Sequence, residues 1–263
     1  MNERVRNARK QWNKLKGKGV RAHLDYIFEY YKGWLFAAAC VIFLVAYIIN
    51  MAVTRKENVL NVFMLNASGA QYDTDAETGK FMEENGFDEK KQQVIIDDIA
   101  YLTPGGIANS NDMAAVEKIT VYAANGDIDV MIADAYNFYY YSDTNLFADL
   151  RDVLPQKELD QYKDTIYYVD RKDMEERQAY AETDDAVNAK PDYEAAAVYE
   201  KKDSFKRPDP SKMQDPVPLG IIVTDAPYIQ KNELYPETVA ILGFASQGKN
   251  KDNALRFLEY LYK

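Results

Sequence analysis

The sequence predicts an α/β protein: a mostly parallel open sheet with helices on both faces, preceded by one transmembrane helix. Three observations predict it. Residues 33–54 (GWLFAAACVIFLVAYIINMAVT) carry no charged side chain between Lys32 and Arg55. Residues 58–134 alternate apolar β-type runs with capped helical stretches, and the order strand, helix, strand, helix, strand implies parallel pairing with helices on the sheet faces. Charge is also divided: the chain holds 32 basic and 42 acidic side chains, yet residues 1–32 carry nine Lys and Arg against Glu3, Asp25 and Glu29. The remainder is therefore strongly acidic.

The tail comes first. Leu24, Ile27, Phe28 and Tyr31 recur at helical spacing and give residues 21–32 one apolar face. Tyr26, Tyr30, Tyr31 and Trp34 crowd the entrance to the apolar run, where amphipathic rings favour a membrane interface. An interfacial anchor is expected, touching membrane lipid. A basic tail can also bind nucleic acid, but beside a membrane span anionic headgroups are the simpler partner, so no nucleic acid is expected.

As a helix, the 22 residues 33–54 would span about 33 Å, against a hydrocarbon core of about 30 Å. The cation-rich tail places the N-terminus in the cytoplasm and residues 55–263 outside the cell. The charged region before the run is too long, and the run itself too long, for a cleaved signal peptide. Cys40 lies mid-run rather than after it, which argues against a lipid-modified cysteine. Cys40 and His23 are the single Cys and single His. Residues 55–263 thus lack disulfides, Cys or His zinc ligands and any His-dependent triad.

Beyond the span, residues 58–65 (NVLNVFML) suit a first strand and Asn66 to Gly69 a turn. Thr74 and Glu77 fit a capping box for a helix running to Asn85. Residues 93–97 suit a second strand. Ser110 or Asn111 would cap a helix over 112–124, stopped by Asn125-Gly126. Residues 128–133 form a third strand, apolar enough to be covered on both faces. Residues 135–150 suit a short helix and a loop, 156–162 another short helix and 165–169 a strand. Residues 170–215 are highly charged and are expected to form a polar, partly mobile excursion containing a hairpin. Strands return at 218–225 and 236–244, and Asn250 would cap a last helix with Ala254, Leu258 and Leu261 on its apolar face.

Three segments resemble one lobe of bacterial extracellular solute-binding proteins: AANGDIDVMIADAYNFYYYSDTNLFADLRDVL from Ala123, PLGIIVTDAP from Pro218, and ASQGKNKDNALRFLEYLY from Ala245. The anchor, LDYIFEYYKGWLFAAACVIFLVAYII, resembles the start of small membrane proteins of Gram-positive anaerobes. The resemblance implies a periplasmic-binding-protein-like lobe that takes a small solute or carbohydrate. The departures are a second lobe that is missing or reduced to the polar residues 160–215 and a retained span in place of a lipidated cysteine, and a single lobe cannot close on a ligand by hinge motion.

In open α/β sheets, ligands bind beyond the carboxyl ends of the strands. That places Asn66 to Ser68, residues 99–106 and Asp134 to Asn137 around one crevice. Ser68, Asp134 and Asn137 would supply polar contacts, and Tyr136 and Tyr139 would stack on a flat ligand. The plain alternative is that Asp134 caps a helix and the run Tyr139–Tyr141 covers the sheet. Asp73, Asp75 and Glu77 lack the pattern of a calcium loop. Gly-x-Ser-x-Gly and phosphate-loop motifs are absent. No catalytic residue, metal or cofactor is expected, and the protein is expected not to be an enzyme. Two functions remain: a membrane-anchored solute-binding module beside a transporter or sensor, or an envelope scaffold that binds a neighbouring membrane protein.

Overall fold

A computed structural model describes residues 19–67, 72–183 and 201–263, together with Arg6, Lys10 and Trp12. The chain divides into two compact units, residues 1–55 and 56–263.

In the first unit, helix α1 (Gly19–Thr54) runs without a break through the tail's apolar face and the whole apolar run. Its stretch Lys32–Thr54 is long and apolar enough to cross a membrane, and none of it is buried by the protein. Phe36, Ile42, Phe43 and Val53 stand exposed, as does Trp34. A soluble helix would bury one such stripe against a core. The side chains of Tyr26, Tyr30 and Tyr31 lie outside the described residues.

The second unit is built on six strands: β1 (Glu57–Met64), β2 (Gln92–Asp97), β3 (Val130–Asp134), β4 (Ile166–Asp170), β5 (Pro216–Ile222) and β6 (Ala240–Phe244). They form one open sheet in the order β2-β1-β3-β6-β5-β4. β1 pairs in parallel with β2 and with β3, placing Val62 opposite both Ile96 and Val130. From β3 onward the pairing is antiparallel, with Val130 opposite Phe244 and Ile221 opposite Leu242. The α/β open sheet is therefore mixed: parallel where helical crossovers join the strands, antiparallel in the returning half.

Helices cover both faces. α2 (Thr74–Glu84) links β1 to β2, and α3 (Ser110–Ala124) links β2 to β3. α4 (Ala135–Ser142), α5 (Leu150–Val153) and α6 (Gln156–Gln161) connect β3 to β4, and α7 (Arg171–Ala181) follows β4. α8 (Pro227–Lys231) sits between β5 and β6, and α9 (Lys251–Leu261) closes the chain. Alternating side chains divide the core in two, as a strand's two-residue period requires. Val62, Val130, Ile132 and Leu242 pack with Phe81, Ile229, Phe257 and Leu258 on one face. Phe63, Met131, Ala133 and Ile241 pack with Ile119, Phe138 and Phe147 on the other.

Several expectations are corrected. Asp73, not Thr74, caps α2, accepting from Ala76 N at 3.0 Å. Thr74 Oγ1 instead donates to Asp98 Oδ2 at 2.7 Å, and Glu77 is buried beside Lys80 and Tyr260. Asn109 caps α3, one residue before the expected Ser110, in a reciprocal capping box with Asp112. Part of the charged 170–215 region is regular: α7 occupies 171–181, its polarity explained by its having no buried residue. Asn250 stands at the cap of α9 but makes no side-chain capping bond there; its Nδ2 donates instead to Asp129 Oδ2 at 3.0 Å.

Candidate functional site

The strand ends converge as the fold class requires. Asn66 ends β1 with φ of 59°, a left-handed conformation that asparagine tolerates better than most residues. This turn brings its side chain against the loop after β2: Leu102 N donates to Asn66 Oδ1 at 2.7 Å, and Asn66 Nδ2 donates back to Leu102 O at 2.8 Å. The same amide donates to Asp134 Oδ2 at 2.9 Å. Asp134 ends β3 and caps α4, accepting from Asn137 N at 2.9 Å on one oxygen and from Asn137 Nδ2 at 2.8 Å on the other. Asn137 Nδ2 also reaches Leu102 O at 3.2 Å.

Asn66, Asp134 and Asn137 thus form one polar knot across three strand ends. Asp134 and Asn137 are both buried. Burial pushes the Asp134 carboxyl above its ordinary range, and hydrogen bonds from Asn137 and Asn66 only partly offset that. Among the described residues its hydrogen-bond partners are neutral amides, so the ionised form carries an uncompensated desolvation cost.

The neighbouring loop is held the same way. Asp112 Oδ2 accepts from Ala108 N at 2.8 Å and Asn109 N at 3.2 Å, and Oδ1 from Thr103 N at 3.2 Å. Burial would raise this carboxyl, but the bonds from Ala108, Thr103 and Asn109 bring it below the usual range. Asp97 and Asp98 separate: Asp97 pairs with Lys118 of α3 and Asp98 with Thr74 of α2. Ile99 and Tyr101 between these anchors are exposed.

Ser68 lies outside the described residues. Tyr136 and Tyr139 are half-buried on α4, three residues apart and so on one helical face. The Arg177 guanidinium stands 4.4 Å from the Tyr139 ring centroid. Arg177 also forks onto Asp143, with Nε and Nη2 each 2.6 Å from an oxygen, tying α7 to the end of α4. Within the tyrosine run, Tyr140 is exposed and Tyr141 buried.

Asp129 is a structural anchor that the sequence reading does not single out. It is buried at the start of β3, and its carboxylate accepts from Asn61 N, Lys249 N and Asn250 N, each at 2.8 Å, and from Asn250 Nδ2 at 3.0 Å. The available signal was a carboxylate set between Ile128 and Val130 in an apolar run, since a buried charge demands partners.

No known family model matches the chain, and no curated protein matches it. Among solved structures it is similar to a Trichodesmium protein, IdiA or FutA, determined in complex with iron and citrate. The identity is 13%, the TM-score 0.34, and the match covers 79% of this chain and 81% of that one. At that distance no role passes from one protein to the other.

Proposed function

We propose that this chain is a single-pass, membrane-tethered protein whose acidic α/β domain lies outside the cytoplasm and serves as an interaction module for a neighbouring membrane protein. The observation that carries the tether is the 23-residue apolar helix Lys32–Thr54, which its own protein leaves unburied. The nine Lys and Arg of residues 1–32 favour a cytoplasmic N-terminus. Among the described residues at the strand ends, Asn66, Asp134 and Asn137 hydrogen-bond to one another and to Leu102, which leaves those groups less available to a solute. A tethered module whose strand-end polar groups bond to one another is better suited to partner binding than to clamping a solute. Exposed Ile99 and Tyr101 beside the knot offer the aromatic and aliphatic contacts that protein interfaces use.

A second use, solute binding at the same end, is favoured by the half-buried Tyr136 and Tyr139 on one face of α4. Ser68 would then add a polar contact, with the ligand a small molecule or carbohydrate. Topology is tested by adding protease to intact cells stripped of any wall. Residues 57–263 are degraded and the tail survives; the reverse pattern overturns the proposal. The partner is tested by cross-linking the full chain in its membrane. Loss of a specific cross-link on changing Ile99 and Tyr101 to Asp supports the interaction module, and an unchanged pattern counts against it.

A further inference from the structure

Strand β2 ends the sheet, with β1 as its neighbour on one side. Every second residue of such an edge strand turns its N–H and C=O away from the sheet. Among the described residues, no backbone group of residues 93–97 has a hydrogen-bond partner outside the β1 ladder. Edge strands are usually blunted by a proline, a bulge or a charge within the strand. β2 has none of these over residues 92–96, and the one irregularity of its pairing lies in β1, between Asn58 and Leu60. Val94 and Ile96 join the core on one face of β2, and Ile95 stands 39% exposed on the other. A strand left open in this way is a template for a further strand.

Charge along this edge selects the occupant. Residues 90–98 read KKQQVIIDD: basic, then amide, then apolar, then acidic. Laid antiparallel against a second copy of itself about Val94, the segment is self-complementary. Gln92 and Gln93 fall opposite Ile96 and Ile95, and the Lys90-Lys91 end of each copy meets the Asp97-Asp98 end of the other. Opposite charges across strands attract and like charges repel. A parallel pairing of two copies would set lysine beside lysine and aspartate beside aspartate. Moving the antiparallel centre back to Gln93 sets Glu89 against Asp97 and Asp88 against Asp98. Moving it on to Ile95 sets Gln92 against Asp98 and Lys91 against Ile99. Only the register about Val94 pairs the charges. Within its own chain Asp97 already pairs with Lys118, and Lys91 Nζ lies 3.9 Å from Asp88. Lys90 is exposed, and among the described residues no carboxylate pairs with its ammonium. Asp98 is reached by the neutral Thr74 hydroxyl. Lys90 and Asp98 therefore carry most of the attraction between copies.

We propose that β2 pairs with β2 of a second copy of this chain, antiparallel about Val94, joining two six-stranded sheets across a two-fold axis. The test co-expresses two differently tagged full chains in a Cys40→Ala background, one carrying Gln93→Cys and the other Ile95→Cys, and oxidises the membranes. In this register the Cα atoms of 93 and 95 in opposite copies stand about 4.5–5.5 Å apart, within the roughly 4.4–6.8 Å that a disulfide spans. Residue 93 to 93 and 95 to 95 are diagonal pairs at about 7–8 Å, at or beyond that reach. The mixed disulfide is expected to form at least about fivefold faster than either like pair. Lys90→Glu in both copies slows it roughly fivefold, because attraction becomes repulsion at both ends. Asp98→Lys in both copies does the same, and combining a Lys90→Glu copy with an Asp98→Lys copy restores the rate. The proposal is overturned by the lack of a disulfide between copies, by like pairs that form as fast as the mixed pair, or by a Lys90→Glu rate equal to that of the unchanged edge. Cross-linking to a protein of another mass in place of the second copy overturns it too, as does a folded Asp98→Lys copy that fails to restore the rate. Lys90 is exposed, so the first three readouts stand even if Asp98→Lys misfolds. Ile99 and Tyr101 are untouched throughout, so failure here leaves the partner surface proposed above to its own test.

Discussion

The Asn250 side chain donates to Asp129 at 3.0 Å while its backbone N–H donates to the same carboxylate at 2.8 Å. Asparagine at the head of α9 and aspartate at the head of β3 are thereby locked together across 121 positions of sequence. Asp134 closes the other end of β3 with a second set of neutral donors. The central strand is pinned at both ends by buried carboxylates whose hydrogen bonds come from amides.

Replacing Asp129 with Asn puts an amide donor where four N–H donors converge. At least one of Asn61, Lys249 and Asn250 then loses its acceptor in a buried setting. The expected cost is about 2–3 kcal/mol, the range for losing a hydrogen bond to a charged group. Urea unfolding of the full chain in detergent measures it. A change under about 0.5 kcal/mol, the size of an ordinary surface substitution, would show that Asp129 does not pin the strand.

Asp134 and Asp112 predict opposite pH effects. The folded Asp134 carboxyl is raised by burial, so above its ordinary range the native state holds a proton the unfolded chain has released. Its contribution to stability falls as pH rises from about 4 toward the folded value. The folded Asp112 carboxyl is lowered despite its burial, so its contribution is present above about 4 and is lost as pH falls through the folded value. Thermal unfolding measured between pH 3 and pH 7 separates the two. Asp134→Asn is expected to flatten the decline on the rising side and Asp112→Asn the decline on the acid side. Parallel curves for variant and wild type would contradict either assignment.

Gly220 lies in β5 under the Phe138 ring, where an added Cβ would stand 2.5 Å from Phe138 Cζ and 2.7 Å from Ile241 Cγ2. Phe138 cannot retreat easily, because it is stacked on Phe147 at 4.2 Å with the rings 12° from parallel. Gly220→Val is expected to destabilise the protein by about 1–3 kcal/mol through overpacking. A Tm equal to wild type would mean that the stack gives way freely.

Arg177→Ala removes the fork onto Asp143 and the cation over Tyr139. α7 buries no residue fully; besides Arg177 it is held by Gln178 Nε2 on Asp143 O, by the Arg171–Asp215 pair and by Met174 against the core. Limited trypsin digestion is expected to cleave near Lys172 several times faster in the variant, with the global Tm falling by only a few degrees. Unchanged cleavage would show that other contacts carry the docking.

Particular residues show how far the sequence could be read. Thr74 and Glu77 matched a capping pattern, yet Asp73 took the cap, while the Thr74 hydroxyl donates to Asp98 just beyond β2. A local pattern names eligible caps; distant partners choose among them. Asn66, Asp134 and Asn137 were legible as strand-end polar residues. What was illegible was their mutual satisfaction, which depends on the left-handed turn at Asn66 aiming its amide across β3.

The sequence by itself determined the apolar helix, the α/β class and the two-sided burial of the central strands. These follow from composition and periodicity, which act through neighbours along one helix or strand. Only the tertiary structure decided the antiparallel half of the sheet, the closure of the strand-end knot and the cavity around Tyr141. They depend on groups far apart in sequence, Ile132 and Leu242 in the sheet, Asn66 and Asp134 in the knot, Asn145 and Ser246 beside the cavity, and no local pattern encodes which distant partner a backbone or side chain meets.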